Sequence, residues 1–268
     1  MLYANYLKMH LKSSFQYRYN MMFISFNQVL INISEVLAVY LLFKQFDSVA
    51  GWTFYQSLIM MGIVYTVYSL TECFARGYDE FPKLIQSGEL DRFLIRPVNI
   101  HYQIFGSKIE FSKLGRVVLG IVISIIAFLN VDIEWTALKV IVLIATYVCG
   151  IFVIFGLFVL SAGISIYTIE NLEFLNIITN GSKELAYYPI NIYAKWLTTI
   201  FTYIIPIACF NYLPLSYILE IGTIPAWLCA TAPFFGMLFV IPCIIFFNLS
   251  LRKSVSYTHL TLPTTSRV

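Results

Sequence analysis

The sequence contains no GxxxxGK(S/T) loop, no HExxH and no GxSxG. Without the first it lacks a backbone cradle for nucleotide phosphates, so this chain is not expected to be an ATPase itself. It has only three histidines. One of them, His259, lies in an anomalous tail, and His10 and His101 are too far apart for a metal site or a catalytic triad. No cofactor and no metal are expected, and an enzyme is disfavoured. Cys73, Cys149, Cys209, Cys229 and Cys243 form no CxxC pair and lie in or beside apolar runs, where cysteine behaves as a small hydrophobe. Charge is the scarcest commodity: Asp, Glu, Lys and Arg make up 12% of the residues, against about 25% in soluble domains. The net charge of +3 is no nucleic-acid signal, because the basic residues flank the apolar runs as the positive-inside bias requires.

Long apolar stretches fill the space. The chain is 59% apolar and 17% aromatic over 268 residues, with a mean hydropathy of +0.79. At roughly 20 residues per span the length permits about six crossings, and lipid demands helices or closed barrels. The reading is an all-α polytopic membrane protein, one membrane domain over residues 1–253 and no soluble domain.

Met1 to Asn20 places Tyr3, Leu7, Leu11 and Phe15 on one helical stripe, with Lys8, His10, Lys12 and Arg18 around it. That is the pattern of a helix lying in the membrane interface; an extension of the first span reads equally well. No cleavable signal peptide is apparent, so the first span is expected to act as an uncleaved anchor. Spans are expected at about Met21–Phe43, Thr53–Cys73, Val117–Leu129, Leu138–Tyr167 and Pro225–Asn248. The third is short, and its polar lead-in with Lys108, Glu110, Lys113 and Arg116 is expected to continue as helix at headgroup level. In the fourth, Gly150, Gly156, Ser161 and Gly163 permit close helix packing.

The middle has two readings. In one, Leu197 to Leu219 is the fifth span and Glu170 to Trp196 an inner loop. In the other, Leu172 to Tyr188 crosses as a less apolar, protein-covered helix, and Tyr193 to Leu219 dips into the outer leaflet and returns. Both give six crossings with both termini cytoplasmic. Twelve of the seventeen Lys and Arg residues then fall on the inner side.

Arg76 to Arg116 is the one polar island and holds seven of those seventeen. Asp79 and Glu80 before Pro82 predict a helix start, ended by Ser87 and Gly88. Glu89 to Ile95 predicts a second short helix stopped by Pro97. Leu84, Ile85, Leu90, Phe93 and Leu94 interleave with charges in helical fashion, so the pair reads as a docking surface. Lys108 to Arg116 reads as an anchor of the third span. Glu35 is the candidate intramembrane polar site; Glu72 and Glu220 lie near span ends, where they are expected to meet water.

Gly88-Glu89-Leu90-Asp91, then Leu94, then Arg96-Pro97, resembles the inner-loop motif of type-2 ABC-transporter permeases, in particular the branch of about 260 residues. Tyr188-Pro189, Trp196, Ile205-Pro206, Asn211-Tyr212 and Pro214 are also similar to that branch. The resemblance covers Met1 to about Lys253. It implies a six-span subunit in the bacterial inner membrane, working as an ATP-driven exporter. Its implied partners are a second permease, identical or related, and cytoplasmic ABC ATPase subunits, besides membrane lipid. It implies a cytoplasmic coupling helix after the second span, with Gly88, Glu89, Leu90, Asp91, Arg92, Arg96 and Pro97 in the ATPase-docking segment. It also favours the re-entrant outer segment. An ion-gradient-driven secondary transporter dependent on Glu35 and a membrane scaffolding protein are the alternatives.

Residues 254–268 depart from that pattern. Val255 to Leu260, VSYTHL, resembles a translated sequencing-library transposon-end adaptor. The stretch is polar without a helical period, so it is expected to be a non-native tail standing where a short charged end belongs.

Overall fold

A computed structural model of the protein describes residues 2–168, 176–222 and 224–260. Among those residues there is no strand beyond an isolated bridge between Val49 and Trp52. The chain begins with α1 (Leu2–Gln16) and α2 (Arg18–Gln45). Tyr17 separates them with a non-helical backbone, φ −106° and ψ 36°, so the first helix is an element of its own and not an extension of the first span. Next come α3 (Phe54–Asp79), α4 (Phe81–Gln86), α5 (Leu90–Leu94) and α6 (Ile100–Ser107), then α7 (Leu114–Leu129) and α8 (Ala137–Ser165). A π-helical turn, Ile177–Gly181, leads into α9 (Ser182–Leu185), followed by α10 (Lys195–Thr199), α11 (Tyr212–Ile218), α12 (Ala226–Met237) and α13 (Val240–Leu260). Among the described residues five helical stretches are long and apolar enough to cross a membrane: Arg18–Gln45, Phe54–Gln86, Phe111–Leu129, Ala137–Ser165 and Ala226–Arg252.

The third helix is the axis of the bundle; nearly every side chain from Ser57 to Tyr78 is buried. Its start is fixed by a capping box, in which Gln56 Oε1 accepts the Thr53 backbone N–H at 2.9 Å, an arrangement that satisfies otherwise orphaned amides. Between helices in lipid there is no hydrophobic driving force, so small residues that let backbones approach carry the packing. Gly62 of α3 and Gly120 of α7 cross so closely that a Cβ on Gly62 would stand 2.9 Å from the Ser124 amide nitrogen and 3.0 Å from the Gly120 carbonyl. Gly150 packs against Val67 and Phe210, Gly156 against Phe239 and Gly163 against Phe246, so the small residues of α8 serve close contact as expected. The second helix, by contrast, buries only Asn32, Val39 and Phe43.

The geometry constrains the middle. The eighth helix ends on the side of the polar island, the basic side, whereas Lys139 at its other end donates to Glu220 at 2.7 Å. The chain therefore crosses once between Ser165 and Glu220. Tyr68 donates to Asn180 Oδ1 at 2.9 Å, and the Tyr65 and Tyr187 rings meet at 5.2 Å. Residues 176–188 thus run antiparallel to α3 past Tyr68 and Tyr65; residues 169–175, at the start of the span expected from Leu172, lie outside the described residues. Lys195–Ile204 and Ile207–Ile218 form a pair bent by 70°. Tyr193 before the pair bonds back to Leu185 O, and beyond its bend Tyr212 meets Trp52 at 5.6 Å. Its bend gives the pair the form of a broken span or a re-entrant loop, and its second half ends on the side away from the island, where Glu220 meets Lys139. Hydropathy scores the pair because it is apolar, and under-scores 176–188 because α3 covers it.

The helix start expected at Asp79 and Glu80 is present: α4 begins at Phe81 with Glu80 at its N-cap and Pro82 in its first turn, although α3 runs on to Asp79 across a break at Ala75 (φ −113°, ψ 18°) and both carboxylates also pair with basic side chains. Two boundaries differ from expectation. The lead-in to the third span is not continuous helix: Lys108 leaves α6 extended, and a short 3-10 turn, Phe111–Lys113, precedes α7. The last span is broken between Met237 and Val240. Its second half continues to Leu260, into the stretch read as a tail; residues 261–268 lie outside the described residues.

Candidate functional site

The polar island builds a platform from its apolar residues first. Phe81 is fully buried, its ring 5.3 Å from Phe247 of α13. Pro82 sits in the first turn of α4, where its missing N–H costs nothing. Gly88 ends that helix at φ +72°. There the Glu89 N–H returns to Leu84 O and the Gly88 N–H to Ile85 O, both at 3.1 Å. This Schellman arrangement favours glycine at its left-handed position. The following helix, α5, buries Leu90 and half-buries Phe93 and Leu94. Glu89, Asp91, Arg92, Arg96 and Pro97 are exposed, and Ile95 is 80% exposed. Among the described residues none of Glu89, Asp91, Arg92 and Arg96 forms an ion pair with the rest of the chain, unlike the acids and bases beside them. The docking residues expected from the sequence thus share one short, charged, outward-facing segment.

Sequence reasoning missed what holds that segment. Gln103 of α6, 1% exposed, donates from Nε2 to Phe93 O at 3.0 Å and to Val98 O at 2.9 Å. It pins both sides of the Arg96-Pro97 bend. His101, dismissed as an isolated histidine, is a node: the Tyr78 hydroxyl bonds Nδ1 at 2.6 Å, and Nε2 bonds Asn248 Oδ1 of α13 at 2.8 Å. Gly77 lets α6 dock under α3, since a Cβ there would strike the Ile104 carbonyl. The first helix lies over α6, with the Tyr3 ring tilted against Phe105 at 5.1 Å and His10 bonded to Gly106 O. The signals available were the polar Gln103 amid apolar neighbours and the glycines at 77 and 106.

Behind the platform is an ion cluster that interlocks α3 with the approach to α7. Glu72, 4% exposed, takes Arg76 at 2.7 Å, Arg116 at 3.0 Å and Lys113 at 3.3 Å. Arg76 also pairs with Asp79 and, at 3.5 Å, with Glu80. Lys108 bridges Glu80 at 2.5 Å and Glu110 at 3.1 Å. Burial pushes the Lys108 ammonium down, but hydrogen bonds and charge from Glu80 and Glu110 more than offset it and hold it above the ordinary lysine value. Glu72 therefore sits in a salt-bridged core and not in water as expected. Lys108 to Arg116 do more than anchor the third span: they fasten it to α3. Glu220 does reach water, its side chain 72% exposed.

Glu35 lies near the middle of α2, half-buried, and accepts the Tyr65 hydroxyl at 2.7 Å. It is remote in sequence and in contacts from the docking segment. All five cysteines are buried and free. The sequence model of the ABC-2 family transporter proteins matches residues 29–258. No curated protein and no solved structure matches the chain.

Proposed function

Because the chain belongs to the ABC-2 transporter family, it is the membrane subunit of an ABC transporter, and we propose that Gly88 to Pro97 is the segment through which its ATPase drives it. The ion-gradient and scaffolding alternatives give way to family membership. The observation that carries the reading is the contrast in pairing. Acids and bases from Glu72 to Glu80 and from Lys108 to Arg116 are paired within the chain. Glu89, Asp91, Arg92 and Arg96 are left free on a braced segment of the basic side. Unpaired charges on a preorganised surface suit a complementary partner and lose little entropy on docking.

In this reading the free charges fix the register on the ATPase. Leu90 and Phe93 transmit displacement to α6, and the Gln103 clamp and the His101 node pass it to α3 and α13. ATP-driven closure would then favour one membrane arrangement over another, which requires nucleotide state to change their relative stability. The basic side is cytoplasmic, as the positive-inside bias supports. The cargo moves outward, and a second permease completes the pathway.

The test is a charge swap, Asp91→Arg with Arg92→Glu, in cells expressing the permease with its ATPase. Membrane insertion should be unchanged, while ATPase co-purification and transport fall by about tenfold or more, because truncating desolvated interfacial charges costs roughly 2–5 kcal/mol. Wild-type co-purification together with wild-type transport would overturn the assignment.

A further inference from the structure

We propose that the polar cluster where α2, α3 and residues 180–187 meet is the cargo site, and that it takes an organic cation. This deepens the transporter reading and rests on it. The cluster lies at mid-membrane depth, since Glu35 is near the middle of α2 and Tyr65 near the middle of α3. Polar groups there are functional by default. Asn27 and Ser34 of α2, with Asn180 and Glu184 opposite, are exposed on the chain. Such groups are costly against lipid, so they belong to a hydrated path or to the contact with a second subunit.

Two observations point to a ligand. First, the cluster contains unused polar atoms. Tyr187 is 3% exposed and Asn32 1%, yet the Tyr187 hydroxyl and Asn32 Nδ2 have no hydrogen-bond partner among the described residues. Buried groups left unmatched normally await a water or a bound molecule. Tyr187 lies edge-on to Tyr65, whose hydroxyl binds Glu35, and within electrostatic range of both Glu35 and Glu184. Second, an aromatic slot already holds a cation of the chain's own. The Lys183 ammonium lies 5.8 Å from the Tyr68 ring centre and 5.5 Å from that of Tyr187, and it pairs with Glu184 at 3.2 Å.

The sign follows from the count. Two carboxylates, Glu35 and Glu184, stand against one free ammonium, because Arg116, also within electrostatic range of Tyr187, is neutralised by Glu72 at 3.0 Å, and the Lys183 ammonium is folded onto ring faces that themselves attract positive charge. An anion entering would meet the carboxylates first. A cationic amphiphile can displace Lys183 toward Glu184, lay its charge between Glu35 and the tyrosine faces, and offer its apolar body to the bundle.

The test compares tetraphenylphosphonium with tetraphenylborate, ions of one shape and opposite charge, binding to the full chain in nanodiscs. Saturable binding of the phosphonium and none of the borate is expected. Glu35→Gln should weaken phosphonium binding by about tenfold or more, and Lys183→Gln should tighten it severalfold by freeing the slot. Glu35→Asp should recover part of the loss. The Lys183 variant keeps the test decisive if the Glu35 variant does not fold. Preference for the borate, equal binding of both probes, no binding of either, or phosphonium binding unaltered by both substitutions would overturn the proposal. The assay needs no ATPase, so its failure leaves the docking segment untouched. The Asp91 and Arg92 swap, conversely, should leave phosphonium binding unchanged.

Discussion

Glu72 illustrates how one residue can hold two helices. Its carboxylate collects Arg76, Lys113 and Arg116 at 5% side-chain exposure. Replacing it with leucine strands Arg116 and strips Arg76 and Lys113 of one acceptor each, and breaking a buried pair in this way costs about 3–5 kcal/mol. Thermal unfolding in detergent should show Glu72→Leu destabilised on that scale, with little relief from added salt because burial limits screening. Lys83→Ala is the control: it removes a 67% exposed partner of Glu80, and exposed pairs contribute about 0–1 kcal/mol. Lys108 obeys the same logic with a pH sign. Its folded-state value is raised, so its contribution is present below the ordinary lysine range and is lost only as pH rises past the folded value. Neutral pH leaves it intact.

At the scale of elements, the clamp from α6 to α5 carries the sharpest consequence. Gln103→Leu removes two hydrogen bonds but also the unmatched Gln103 Oε1. Net stability should shift by only about 1 kcal/mol. The Arg96-Pro97 bend, however, loses its fixed position. Stimulated ATP hydrolysis should therefore drop severalfold in reconstituted membranes while the melting temperature stays within a few degrees; unchanged coupling would mean that the segment is positioned by its apolar side chains alone. The elements also show what the sequence could and could not convey. The second, third and eighth helices fall within a few residues of their expected spans, because hydropathy reports contact with lipid. Pro82, Gly88 and Pro97 located the two short helices, because each residue has a specific backbone consequence. Hydropathy left 176–188 as one of two readings, because its cover is α3, and was blind to the crossing of Gly62 with Gly120, where the paired small residues at Thr66 and Ser124 offered the signal. The acids at 79 and 80 marked the start of α4, where Glu80 is the N-cap; their ion pairs could not be read beforehand, because only the fold brings Arg76 and Lys108 near.

For the whole molecule, the docking segment and the polar cluster occupy different depths of one bundle, joined through α3. If both proposals hold, linkage requires the coupling to be reciprocal. A non-hydrolysable nucleotide on the ATPase should change phosphonium affinity in the assembled transporter, and phosphonium should change nucleotide affinity by the same factor. In the Asp91 and Arg92 swap both effects should vanish together. Titration of each ligand at saturating levels of the other checks this, and unequal factors would show that the two sites are not linked through one equilibrium.

The sparse packing of α2 has a temporal side. Its Ser25 hydroxyl is held by the Ser112 carbonyl, and its main helical neighbour is α7. Those two serines are 87 residues apart. At synthesis rates of about 5–20 residues per second, the helix waits on the order of 4–17 seconds for that contact. During that interval Asn32 and Glu35 have only α3 for company, and a ribosome stalled before Ser112 leaves a half-dressed polar helix in the bilayer, visible to quality-control proteases. The order in which the chain emerges is thus a constraint written into its least buried span.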